Sequence, residues 1–278
     1  MNEYDLIRMV AAKFPRSPRQ RNALFACDSE IVEIGGRLWG LTVDEFTPEE
    51  DLFTSENPEL LGANLTTATL SDLLAVGAKP EFFMHVLSVS READPAFVEG
   101  LCNGIKTVLD QADCFLCGGD IGIAETWRYC GFAMGRIMGE NPLMHVLPKA
   151  PQRLWVTGQL GDANLAALTG RPTPRFELRL AEASLARRYG TACIDTSGGF
   201  FDAIWILHSQ SAGMRLEIET DKIPLAPGLS ETARASGFPK EAGLLGGAGE
   251  YELLFATPAD LPDSAREEIA SSGVTARR

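Results

Sequence analysis

The stretch CIDTSGGFFDAIWIL, residues 193–207, runs apolar, then acidic, then small, then apolar again. Cys193 to Asp195 reads as a short buried strand, Thr196 to Gly199 as a turn, and Phe200 as the opening of a helix. A strand, a glycine turn and a helix N-terminus form an anion site, because free backbone N–H groups and the helix dipole point at the turn. This turn has two glycines and a single carboxylate, whereas metal–phosphate chemistry ordinarily draws on more acid. The remainder of the chain decides whether the turn is catalytic.

Working outward, the 278 residues suffice for about two ordinary domains. With 45% hydrophobic and 23% charged residues the composition is that of a globular protein. A net charge of −13 argues against a nucleic-acid partner and against an anionic membrane surface. No apolar run reaches transmembrane length and the N-terminus lacks a signal-peptide pattern, so a cytoplasmic location is expected. The C-x-x-C of Cys114 and Cys117 lies in DCFLCGGD, a strand running into a turn, where positions three apart face opposite sides. Without a second pair or a flanking histidine it reads as buried thiol rather than zinc or redox site.

Helical spacing over 3–14 ends at Pro15, and IVEIGGRLWGLTVDEF reads as a hairpin around Gly35–Gly36. LLGANLTTATLSDLLAVGA is expected to be an amphipathic helix, FFMHVLSVS a strand, and PAFVEGLCNGIKTVLDQA a second helix. Two further strands follow in CFLCGGD and WRYCGFAMGRIMG. The proline-rich ENPLMHVLPKAP is the candidate boundary, giving a first module over 1–140 and a second over 150–278 that restarts with RLWVTG. Both mix strands and helices, which makes the fold class α/β (α+β) in two modules.

Five acids follow short apolar runs or sit at small-residue turns: Asp28, Asp44, Asp72, Asp120 and Asp195. Taken singly, each is an ordinary cap or turn residue. Asp72 is the odd one, a carboxylate between Leu70 and Leu73 within a helical pattern. If several converge, carboxylates about 4 Å apart repel by roughly 4 kcal/mol per pair at an effective dielectric near 20, and divalent cations must sit between them. Oxygen ligands without histidine or cysteine select magnesium or manganese, and magnesium completes its shell with water and phosphate oxygens. There is no Walker loop and no well-placed G-x-G-x-x-G. His85, His145 and His208 are scattered, without a nucleophile beside them, and His85 reads as a strand histidine.

In order and wording the pieces resemble one family. V-D at 43–44, N-L-…-L-S-D-L-…-G-A at 64–78, G-G-D at 118–120, G-R at 135–136, V-T-G-x-x-G-D at 156–162, R-P-T-P-R at 171–175, I-D-x-S at 194–197 and Y-E-L-L-F at 251–255 are similar to thiamine-monophosphate kinases, within the superfamily of aminoimidazole ribonucleotide synthetase (PurM-like). The resemblance implies a homodimer whose N-terminal sheets join into a barrel, followed by a C-terminal α/β module shortened relative to the family. It implies ATP and magnesium, with Asp28, Thr42, Asp44, Asp72, Asp120 and Asp195 on metal positions. Gly119, Asp120, Arg136 and Ser197 fall on nucleotide positions. The implied reaction is in-line γ-phosphoryl transfer to a small-molecule acceptor without a protein nucleophile. A noncatalytic ATP-binding dimer, or activation of an amide or carboxylate, are the alternatives. The departures cluster: Cys27-Asp28-Ser29 stands for G-D-D, Ser197-Gly198-Gly199 for S-D-G, Gly249 for a substrate-linked glutamate, and Leu52 for a substrate histidine. The chain also stops at Arg278, before the family's final segment. Nucleotide-side positions are kept and acceptor-side positions mostly are not, so an acceptor other than thiamine monophosphate is expected.

Overall fold

A computed structural model describes residues 3–49, 51–259 and 261–271. The chain opens with helix α1 (Glu3–Ala11) and the hairpin β1 (Glu30–Ile34) and β2 (Arg37–Phe46), turning at Gly35–Gly36 as expected. Helix α2 (Pro58–Ala75) starts at Asn57, whose side chain accepts from Leu60 N, with proline at its first position. Then come β3 (Ala78–Val89), α3 (Pro95–Ala112), β4 (Phe115–Ile123) and β5 (Arg128–Ile137). These strands form one sheet in the order β1-β2-β5-β3-β4, antiparallel except for the β3–β4 pair that α3 connects.

A second, three-stranded sheet follows. It contains β6 (Gln152–Val156), β7 (Ala192–Asp195) and β8 (Leu253–Pro258), with β8 central and antiparallel to both neighbours. Helices α4 (Asp162–Thr169), α5 (Leu180–Tyr189), α6 (Phe200–Gln210), α7 (Leu229–Ala235) and α8 (Asp263–Ser271) complete the set. Among the described residues no helix is long and apolar enough to cross a membrane.

The sequence reading needs three corrections. Helix α1 ends at Ala11, and its apolar residues Leu6, Met9 and Val10 lie exposed. β4 continues through Gly118–Asp120 rather than turning there, and Cys114, just before the strand, is buried while Cys117 is exposed, so the buried-thiol reading holds for the first cysteine and not the second. Most consequentially, α2 is not amphipathic. From Leu61 to Ala75 every residue but Asp72 is buried. One side of α2 packs on the first sheet, and its C-terminal Leu74 and Ala75 join Cys193, Leu253 and Phe255 of the second sheet in one apolar cluster. A helix apolar all round belongs in an interior, and here it joins the two sheets.

Strand alternation gives the first sheet two unlike faces. Thr42, Phe46, Phe83, Leu87, Tyr129 and Ala133 are buried, on the side of α2 and α3. The opposite face shows Val43 (63% exposed), Met84 and Val86 to the surroundings.

Candidate functional site

The acid at the end of β7 stands against α2. Asp195 is buried, its Oδ2 in a short contact with Ser71 Oγ and its Oδ1 accepting from Ser197 N (3.1 Å) and Ser197 Oγ (2.7 Å). Ser71 also has Ala68 O at 2.8 Å, and its one hydroxyl hydrogen cannot serve both acceptors. Ser197, expected on the nucleotide side, thus holds the carboxylate two residues before it.

The two glycines of the turn have separate reasons. Gly199 precedes α6 at φ 95°, and a Cβ there would meet Gly246 Cα at 2.5 Å, so the 246 backbone lies against the turn and excludes any side chain. Gly198 has no such constraint: a Cβ would meet only the movable side chain of Asp202, at 2.6 Å from Oδ2. The missing second acid is absent from a position where the backbone permits one.

Asp28, Asp72 and Asp195 each bring a carboxylate oxygen within 4.8 Å of the others. Asp72 is the one position from Leu61 to Ala75 of α2 that is not fully buried, and Thr42 Oγ1 on β2 donates to its Oδ2. Burial, then the charges of Asp44, Asp195 and Asp28, hold Asp72 well above the usual carboxylate range, with the Thr42 bond pulling the other way. Burial and the charge of Asp28 push Asp195 up to about 6 despite the Ser71 and Ser197 bonds. Asp44, two residues along β2 from Thr42, is pushed up to about 7 by burial and then by Asp195, Asp28 and Asp51. All donors are carboxylate or hydroxyl oxygens that repel one another, a set that fits a hard divalent cation such as magnesium.

The other expected residues lie elsewhere in the protomer. The parallel register sets Asp120 beside Val86 and Gly119 beside His85, so Asp120 stands on the exposed sheet face, opposite to Thr42 and Asp44. Arg136 shares that face, with Nε 3.3 Å from Glu81 Oε1. One protomer therefore assembles Asp28, Thr42, Asp44, Asp72, Asp195 and Ser197; Asp120 and Arg136 stand on the other face, and Gly119 shares the face of Asp44 but lies three strands across the sheet.

Several neighbours of the cluster escaped the sequence reading. His145 is 4% exposed, with Nε2 3.1 Å from Asp28 Oδ2 and Nδ1 3.0 Å from Phe25 O. Burial works against its protonation, yet Asp28 and the bond to Phe25 outweigh burial and raise its pKa. Tyr251, at φ 56°, packs with Phe53 and Phe176 beside the acids. Glu252 accepts from Arg179 Nε at 2.6 Å and contacts Thr157 Oγ1, a buried ion pair beneath this aromatic group. Glu250 turns away to bind Gly161 N and Ala163 N at the start of α4 and is pushed up to about 8 by burial. The Y-E-L-L-F wording and the Gly249 departure marked this region in the sequence, without the role of any of these side chains.

A sheet backed by two helices, a second α/β sheet, and carboxylates meeting between them define the class of AIR synthase-related proteins. The family model described as "AIR synthase related protein, N-terminal domain" matches residues 27–137. Within that class, the chain belongs to the thiamine-monophosphate kinase family. It is 30% identical over 217 residues to the thiamine-monophosphate kinase of Methanopyrus kandleri, covering 72% of this chain and 68% of that protein. With the kinase of Pyrococcus horikoshii it shares 28% over 269 residues, covering 93% and 83%. The solved structure of AaThiL complexed with AMPPCP and TMP superposes with a TM-score of 0.79 at 24% identity, over 92% of this chain and 85% of that one.

Proposed function

We propose that the protein is an ATP- and magnesium-dependent phosphotransferase that moves the γ-phosphoryl group of ATP in line to a small-molecule acceptor. The observation that carries this reading is the meeting of Asp28, Asp72 and Asp195 within 4.8 Å, drawn from three distant stretches of chain. These three, with Asp44 and Thr42, would hold magnesium, which when bound supplies the positive charge that a triphosphate and a transferring phosphoryl group require. The protein's part is positional. Ser71 and Ser197 fix Asp195, Thr42 fixes Asp72, and the apolar body of α2 keeps the carboxylates from relaxing apart.

The family's sites divide unevenly in this chain, which supports an acceptor other than thiamine monophosphate. Gly249 has φ 65°, and a Cβ there would come within 2.9 Å of the Tyr251 ring, so the family's glutamate does not fit without rearrangement. We assign most nucleotide and metal ligands to a module over 1–140 and the acceptor side to one over 150–278, which also lends Asp195 and Ser197 to the metal cluster. A second copy is placed on the exposed face of the first sheet, where Val43, Met84 and Val86 otherwise face water. Asp120 and Arg136 lie on that same face, so their nucleotide role rests on the dimer.

The test is ADP formation with magnesium, first with thiamine monophosphate, then with a panel of small phosphates and alcohols. Turnover stoichiometric with one acceptor, lost in Asp195→Asn, supports the reading. ATP binding without turnover on any acceptor contradicts it and leaves a noncatalytic nucleotide-binding protein.

A further inference from the structure

Residues 143–147 join the two sheets as a strap, and the strap touches each chain segment that carries a cluster aspartate. Leu143 N donates to Val76 O (3.1 Å), just past the end of α2, which holds Asp72. Met144 O accepts from Cys193 N (3.2 Å) on the strand that ends in Asp195. His145 N donates to Ala26 O (2.8 Å), two residues before Asp28. Leu147 N, donating to Ser211 Oγ at 2.8 Å, anchors the far end.

The strap directs one imidazole at the acids. Phe25 O, 3.0 Å from Nδ1, can only accept, so Nδ1 carries a hydrogen and Nε2 is the atom presented to Asp28 Oδ2 at 3.1 Å. Both Nε2 and Oδ2 are shielded from solvent and neither completes a hydrogen bond, so their 3.1 Å approach is the polar contact that each has. With Oδ2 facing the ring, Oδ1 is the oxygen left for a cation. Carboxylates that hold a metal depend on such outer partners for their orientation.

We propose that His145 is a positioning residue for the metal centre: seated on Phe25 O, it engages Asp28 Oδ2 and so aims the other oxygen of Asp28 at the space shared with Asp72 and Asp195. The proposal rests on the reading that these acids hold a divalent ion. It opposes a second role for the same residue, a counter-charge that merely offsets the acids. The two differ in sign. Deleting a counter-charge beside a cation site strengthens cation binding, whereas deleting a positioning group weakens it.

The experiment measures Mn2+ affinity without nucleotide, by the electron paramagnetic resonance signal of free Mn2+, in wild type, His145→Ala and His145→Gln, with thermal unfolding of each. The expected result is a 10- to 100-fold loss in His145→Ala and recovery to within a few-fold in His145→Gln, whose amide still donates to Asp28. Equal or tighter Mn2+ binding by His145→Ala overturns the proposal while leaving the metal reading intact. No Mn2+ binding by wild type overturns both. Should His145→Ala not fold, histidine-labelled wild type decides the matter by nitrogen NMR. Mg2+ is expected to shift the His145 Nε2 resonance; a resonance unmoved by Mg2+ overturns the proposal.

Discussion

Replacing Asp72 by asparagine keeps the shape of the side chain and the acceptor for Thr42 while deleting one charge of the cluster. Without divalent ions, three carboxylate oxygens within 4.8 Å repel by about 3 kcal/mol per pair at an effective dielectric near 20, and two of the three pairs involve Asp72. The protein relieves this by holding protons. A carboxyl whose folded pKa lies above its unfolded value stabilises the fold fully below the unfolded value and loses that contribution as pH rises through the folded one. Asp44, moved from 3.8 to about 7, and Asp195, moved to about 6, place the loss between pH 4 and 7. At ~1.4 kcal/mol per unit, the Asp44 shift alone corresponds to about 4 kcal/mol. The cation-free wild type is therefore expected to lose melting temperature from pH 5 to pH 8. Asp72→Asn should be more stable than wild type at pH 8 by about 2 kcal/mol, or about 4–8 °C, and the difference should vanish toward pH 4. Magnesium should reverse the order by stabilising wild type far more than the variant. The assay is thermal unfolding across pH with chelator and with Mg2+. An Asp72→Asn protein that melts below wild type at pH 8 in chelator, or gains as much from Mg2+, refutes the reasoning.

Breaking the buried Arg179–Glu252 pair by Arg179→Met leaves an uncompensated carboxylate and should cost about 3–5 kcal/mol in denaturant unfolding; a loss under 1 kcal/mol would show the pair to be dispensable. Gly198→Asp places a further acid beside Asp202, so it should lower the melting temperature in chelator and enlarge the stabilisation by Mg2+, measured in the same scans. Unchanged Mg2+ stabilisation would remove position 198 from the metal site. Charging the open sheet face with Val43→Glu and Val86→Lys should halve the mass seen by sedimentation while leaving far-ultraviolet dichroism unchanged; an unaltered mass argues against pairing through this face.

The sequence carried its strongest information where spacing has a local physical consequence. The glycine hairpin, the strand–turn–helix at 193–207 and the carboxylates at run ends were all legible, because turn chemistry acts over a few residues. The character of α2 was not: small residues such as Gly62 and Ala63 look neutral in an amphipathic pattern, yet α3 packs directly on them. Asp72, odd against such a pattern, is explained by its being the single unburied position between Leu61 and Ala75. The side of the sheet on which Asp120 stands depends on its register with β3, which no spacing within β4 encodes. His145 was hidden differently. It lies in a stretch without periodicity that reads as a linker, and its partners, Phe25 and Asp28, are joined to it only by tertiary packing.

The central claim is that carboxylates from separate segments share one cation-dependent nucleotide site. Titration calorimetry of ATP into the protein, with 5- to 10-fold excess Mg2+ (roughly millimolar) and again in chelator, tests it most directly. The account predicts saturable binding with Mg2+, none in chelator, and loss of the Mg2+-dependent heat in Asp195→Asn. Equal ATP binding with and without Mg2+, or Mg2+-dependent binding untouched by Asp195→Asn, would contradict it.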